Sequence, residues 1–117
     1  MSLPFAVATM GDAVTTNHAC DVATTCLDGN PLVTVMGQPV HYVGGKATTH
    51  KVEVGDKCPL HTPTLSPNTS MVMVFPLALG GEPTQIARLG DNYANISADP
   101  PCKGIITETK NATVFAY

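Results

Sequence analysis

Met10-Gly11-Asp12 is echoed by Val43-Gly44-Gly45 and again by Leu89-Gly90-Asp91. Each step joins an apolar residue to a glycine, and each leads into a polar loop that contains Pro or Cys. An Asn then opens a short apolar strand. The three strands read Asn30-Pro31-Leu32-Val33-Thr34-Val35, Asn68-Thr69-Ser70-Met71-Val72-Met73 and Asn111-Ala112-Thr113-Val114-Phe115-Ala116. The spans from glycine to Asn are 19, 24 and 21 residues. Self-similarity of this kind predicts either three similar faces around an axis or three turns of a stack.

Composition points the same way. A chain of 117 residues has room for one domain, expected over 1–117, and one modest core. Charged residues make up 13% of it, about half the usual share, and Thr, Val, Ala, Gly, Pro and Asn take their place. Thr and Val suit a pleat, whereas Gly and Pro interrupt helices, so the expected class is all-β. The net charge of −3, with Lys and Arg scattered, argues against nucleic-acid binding. The longest apolar run, Met71 to Leu79, is broken by Pro76 and falls short of the roughly 20 residues of a membrane span. Ala6 and Ala8 flank Val7 in the manner of a cleavage site. No basic residue precedes them and the apolar stretch is short, so no signal peptide is expected.

Turn and alternation signals divide the chain as follows. Residues 3–10 form a strand, and 12–28 a Thr-rich loop. Leu32 to Met36 is a strand, Gly37-Gln38-Pro39 a turn, and Val40 to Val43 a return. Residues 45–67 are a second loop. Met71 to Leu79 is a strand region, Gly80-Gly81 a turn, and Thr84 to Leu89 a return. Residues 91–104 form a third loop, and Ile105 to Thr109 and Ala112 to Tyr117 close the chain.

Loops this long need an anchor beyond a small β-core. The first carries His18, Cys20 and Cys26, the second His50, Cys58 and His61, and the third Cys102. Only His41 falls on an expected strand, where it reads as structural or surface. Each repeat can thus send at least one ligand to a common point, and zinc takes four N or S ligands in a tetrahedron. A metal gathering three loops would contribute folding free energy. The chain lacks the Cys-x-x-Cys pair of ordinary zinc fingers; Cys58-Pro59-Leu60-His61 is a Cys-x-x-His element. A disulfide such as Cys20–Cys26, or plain buried thiols and surface imidazoles, is the alternative. For any single His the plain reading is the better one; for the set in equivalent loops, a shared metal is.

With these motifs the chain resembles a PAAR-repeat protein, the small tip of phage-tail and type VI secretion spikes. The repeat of that family runs apolar-Gly-Asp, a His- or Cys-bearing loop, an Asn-Pro-type turn, a strand, Gly-x-Pro and a return strand. It is matched by Met10-Gly11-Asp12, Asn17-His18-Ala19-Cys20, Asp28-Gly29-Asn30-Pro31 and Val33-Thr34-Val35-Met36-Gly37-Gln38-Pro39. The third repeat offers Ile86-Ala87-Arg88-Leu89-Gly90-Asp91, Cys102-Lys103-Gly104 and the strand from Asn111. Between them, the stretch from Ala47-Thr48-Thr49-His50 to Cys58-Pro59-Leu60-His61 resembles the His- and Cys-rich loop of the phage branch. The eponymous tetrapeptide is absent: Pro39-Val40-His41-Tyr42 and Gln85-Ile86-Ala87-Arg88 stand in its place. The second step lacks its Asp, and Asn92 to Pro101 lengthen the third loop.

The resemblance implies a small conical domain with three pseudo-repeats around a threefold axis and one structural zinc near the vertex. It implies His18, His50, His61 and Cys102 as ligands, with Cys58 in reserve for His50, and Cys20 and Cys26 as free thiols or outer residues. It implies a bare tip without a toxin domain, a monomer on its own. One copy would cap the trimeric β-helical spike of a contractile tail or type VI-like machine, at the virion tail tip or secreted, and help pierce the target envelope. The seating face is expected to include parts of Leu32–Met36, Met71–Phe75 and Val114–Tyr117. Two other readings compete. One is a zinc-stabilised binding module without a spike. The other is a zinc-dependent hydrolase, for which Glu53 is the nearest base, although a thiolate as fourth ligand would close the site.

Overall fold

The computed structural model describes residues 5–16, 18, 20–52, 56–58, 60–75, 82–93, 104–109, 111 and 114–117. No helix occurs among them, and the protein is all-β. The strands are β1 (Phe5–Ala6), β2 (Ala13–Thr15), β3 (Ala23–Thr25), β4 (Asn30–Val35), β5 (Gln38–Val40) and β6 (His50–Lys51). They continue with β7 (Leu60–His61), β8 (Met73–Val74), β9 (Thr84–Gln85), β10 (Ile105–Glu108) and β11 (Phe115–Ala116). All pairings are antiparallel: β4 with β5, β6 with β7, β8 with β9, β1 with β11, and β2 between β10 and β3.

The threefold pattern of the sequence is written into the backbone hydrogen bonds. Ala8, His41 and Ala87 each stand three residues before a step glycine. Ala8 N–H donates to Ala87 O, Ala87 N–H to His41 O, and His41 N–H to Ala8 O, each at 3.0 Å. These three bonds close a ring. A second cycle follows: Met10 N–H to Pro39 O (2.8 Å), Val43 N–H to Gln85 O (2.9 Å) and Leu89 N–H to Ala6 O (2.8 Å). Within each repeat the glycine N–H returns to the far side of its own loop, Gly11 to Cys26 O, Gly44 to Leu65 O and Gly90 to Ile106 O. The three glycines have φ of 89°, 90° and 90°, a region in which a side chain is strained. The molecule measures 41 × 29 × 29 Å, one long axis and two equal short ones.

Packing follows the same register. Val7, Val40 and Ile86 join Val35, Val74, Ala116 and Tyr42 in one buried cluster. A second cluster holds Ala8 and Ala87, then Val14, Ala47 and Tyr93, then Cys26, Leu65 and Ile106, each a set of equivalent positions. His41 takes the third place beside Ala8 and Ala87. Its imidazole explains the missing acid at the second step. A Cβ on Gly45 would lie 2.9 Å from His41 Cε1. At the other two steps Asp12 and Asp91 accept from the N–H of Thr9 and Arg88, both at 2.7 Å.

Several expectations from the sequence need correction. The stretch 12–28 is not simply loop, because β2 and β3 pair as a hairpin through Ala13↔Thr25 and Thr15↔Ala23. The second loop likewise contains the β6–β7 hairpin. Thr-rich segments lack the apolar alternation of a core strand, since their outward face is hydroxyl-bearing. The first turn falls at Met36-Gly37, one residue earlier than expected, between the paired Val35 and Gln38. Both turn residues have positive φ, 51° and 81°, the requirement of a tight two-residue hairpin. Gly80-Gly81 and most of the third loop lie outside the described residues. The bridge Asn92↔Ile105 and the bond from Tyr93 N–H to Gly104 O (2.8 Å) begin the same ladder there.

Candidate metal centre

His50 and His61 face each other across the β6–β7 pair. Their rings meet edge to face with centroids 4.3 Å apart. His18 approaches from the loop that joins β2 to β3, with ring centroids 5.1 Å from His61 and 5.7 Å from His50. That loop is shaped by the buried Thr16. Its N–H donates to Val22 O (3.1 Å), its hydroxyl donates to Asp21 O, and it accepts from His18 N–H (3.1 Å). One potential ligand atom from each of the three imidazoles lies within 4.8 Å of the others. Three of the four ligands expected from the sequence are therefore brought together. Cys102, the fourth, lies outside the described residues, as does Glu53.

The protonation pattern suits a metal ion. His50 Nδ1 is 2.9 Å from Thr48 O, and a carbonyl only accepts, so the proton sits on Nδ1. The His50 Nε2 lone pair then points inward and accepts from His61 Nε2–H at 2.7 Å. A backbone carbonyl fixing the outer nitrogen of a ligating histidine is the usual support of such sites. Thr48 is itself held to the first repeat: its O accepts from Thr24 Oγ1–H (2.8 Å), its N–H donates to Thr25 O (2.8 Å), and its hydroxyl meets that of Thr25 (2.8 Å). The Thr-rich character of both loops thus acts in positioning the histidines. Sequence reasoning assigned these threonines no role.

Cys20 and Cys58 fall differently from the expectation, whereas Cys26 is the free thiol it was expected to be. Cys20 and Cys58 form a disulfide across a sequence separation of 38, which removes Cys58 as a reserve ligand and Cys20 as a free thiol. The cause is the convergence of the histidines. Cys20 follows His18 by two residues and Cys58 precedes His61 by three, so bringing the imidazoles together brings the sulfurs together. Had the histidine triad been imposed first, this pairing was within reach of the sequence. Cys26 is a free thiol in the core, at the position held by Leu65 and Ile106 in the other repeats.

A second polar cluster lies in the core and takes one residue from each repeat: Cys26, His41 and Tyr93. His41 Nδ1–H donates to Asp28 O (2.6 Å), and its Nε2 is 2.7 Å from Tyr93 Oη, which is 3.4 Å from Cys26 Sγ. Burial pushes the His41 pKa down and the Cys26 thiol up to about 12. With a neutral imidazole and an intact thiol, Tyr93 O–H donates to His41 and Cys26 S–H donates to Tyr93. His41 is therefore structural, as one of the two sequence readings had it. No family model matches the chain, and no curated protein matches it.

Proposed function

We propose that this protein is a PAAR-like spike tip: one copy caps a trimeric β-helical spike and sharpens it for passage through a target envelope. The observation that carries the reading is the closed three-bond ring, together with the apolar face its repeats present. Val33, Val72 and Val114 occupy equivalent positions with exposures of 40%, 41% and 42%. Met36, Phe75 and Tyr117 form a second such set at 63%, 62% and 56%, and Leu32, Met71, Met73 and Phe115 are exposed beside them. An apolar face repeated three times around an axis fits the end of a threefold partner, and left bare it would favour aggregation.

In this reading the histidine centre lies at the far end and holds one structural zinc. Cys102 is the proposed fourth ligand. It stands four residues before Ile106, as His61 stands four before Leu65, and Ile106 and Leu65 are equivalent core positions. A closed set of three imidazoles and a thiolate leaves no position for water, so the role is structural and not catalytic. Locking the loops at the vertex would resist splaying under load. The place of action is a virion tail tip, with a secreted type VI-like apparatus as the other setting.

Native mass spectrometry of the chain mixed with a trimeric β-helical spike protein tests this. The expected complex has one copy per trimer and one zinc, and Val72→Asp abolishes the complex while keeping the zinc. Failure of a panel of such trimers to bind, with the protein folded and monomeric, would overturn the spike reading.

A further inference from the structure

We propose that the Cys20–Cys58 disulfide is a redox staple that sets the metal affinity of the histidine centre; this rests on the metal reading above. The bond joins the two segments that supply the imidazoles. Cys20 is two residues from His18, and Cys58 is three residues from His61, whose strand pairs with that of His50. Toward the body of the fold these segments are tied by the Thr24, Thr25 and Thr48 bonds. Beside the imidazoles they are tied by the disulfide and by an exposed 3.3 Å bond from Lys51 N–H to Asp21 Oδ2. With the disulfide closed, His18 is held against the β6–β7 hairpin before any metal arrives. With it open, metal binding must also order one segment against the other, and affinity falls by that cost.

The staple is reachable. Cys58 is exposed and Cys20 half-buried. A dithiol reductant opens it by thiolate attack on Cys58 Sγ, which breaks the S–S bond and releases Cys20 as a thiolate that takes a proton. The second thiol of the reductant then displaces Cys58, which leaves as a thiolate and is protonated. Two electrons and two protons pass to the protein, and the reductant becomes a disulfide. Closure is the reverse, with a disulfide-bearing oxidant as acceptor. A chain made in a reducing compartment and used in an oxidising one would therefore tighten its metal centre on the way.

Zinc affinity is to be measured by competition against a chromophoric chelator in three samples: oxidised protein, protein reduced with a phosphine, and the Cys20→Ser/Cys58→Ser variant. Thermal melting confirms that each is folded. The oxidised form is expected to bind one zinc at least ten-fold more tightly than the double variant, which should be indifferent to reductant. Reduced wild-type should match the variant and recover on reoxidation. Equal affinity in the oxidised protein and the variant would overturn the staple while leaving the metal centre intact. Tighter binding in reduced wild-type, with a weak serine variant, would also overturn it, by making the thiolates ligands. No zinc in any sample would remove the metal reading and the staple together.

Discussion

Tyr93→Phe deletes one buried oxygen and little else. The ring stays, so no cavity larger than that atom is created. What is lost is the donor to His41 Nε2 at 2.7 Å and the acceptor of the Cys26 thiol. Both His41 and Tyr93 are fully buried, so no bulk water can replace the hydroxyl. An orphaned buried acceptor costs about 1–3 kcal/mol, and the weak thiol bond adds little, for a total of about 2 kcal/mol. In a chain of this size about 4 °C of melting temperature accompanies each kcal/mol, which gives a loss of about 8 °C. The assay is thermal unfolding by circular dichroism at pH 8, with both proteins at the same zinc loading. Tyr117→Phe, at an exposed position, is the control and should melt like wild-type. A Tyr93→Phe loss of less than about 2 °C would refute the relay from thiol to phenol to imidazole, because an unbonded hydroxyl has nothing to lose.

Other outcomes follow from the same geometry. Gly11→Ala and Gly90→Ala should each cost about 1–2 kcal/mol, since the new methyl meets nothing within 4 Å and only the shared positive φ opposes it. Chemical denaturation that finds one of the two neutral would break the equivalence of the steps. His41 is held neutral by burial, so below its ordinary pKa of 6.5 the unfolded chain binds a proton that the folded chain refuses. Stability should therefore be complete above about pH 6.5 and decline as pH falls, by up to about 1.4 kcal/mol per unit. The decline should be smaller in His41→Gln. Taking the wild-type-minus-variant difference in denaturant titrations removes the opposite contribution of Asp91, whose pKa burial raises. Cys26, pushed up to about 12 and buried, should resist iodoacetamide at pH 8 until the protein is unfolded; labelling of the folded form would contradict its place in the core.

The glycine steps and the Asn residues were legible because each repeats a backbone requirement. Positive φ at Gly11, Gly44 and Gly90 leaves few alternatives, and Asn30 and Asn68 use their side chains to accept from Leu32 N–H and Ser70 N–H. His18, His50 and His61 were legible as candidate ligands, along with the loop cysteines, by placement in the loops that follow the glycine steps, and the fold brings the three imidazoles together. The β2–β3 and β6–β7 hairpins were not legible: β2 and β3 turn threonine hydroxyls outward, and β6 and β7 are two residues each, too short to carry an apolar period. The disulfide was missed for a different reason. Cys20 and Cys58 are joined through the convergence of two loops, which no local pattern encodes. His41 read as structural or surface on an expected strand; it lies just past β5, and only the space over Gly45 and the reach to Tyr93 show that it is structural.

The ring through Ala8, His41 and Ala87 has a consequence for how the chain can fold. Each of its bonds joins two repeats, and β1 finds its partner in β11, with Phe5 opposite Ala116. Hairpins such as β2–β3 can form early from neighbours, but the first repeat stays open-edged until the third has been made. Two repeats alone would leave bonding edges bare, so intermediates should be sparse and short-lived or prone to pair with each other. Folding should then be late, cooperative and slow for so short a chain.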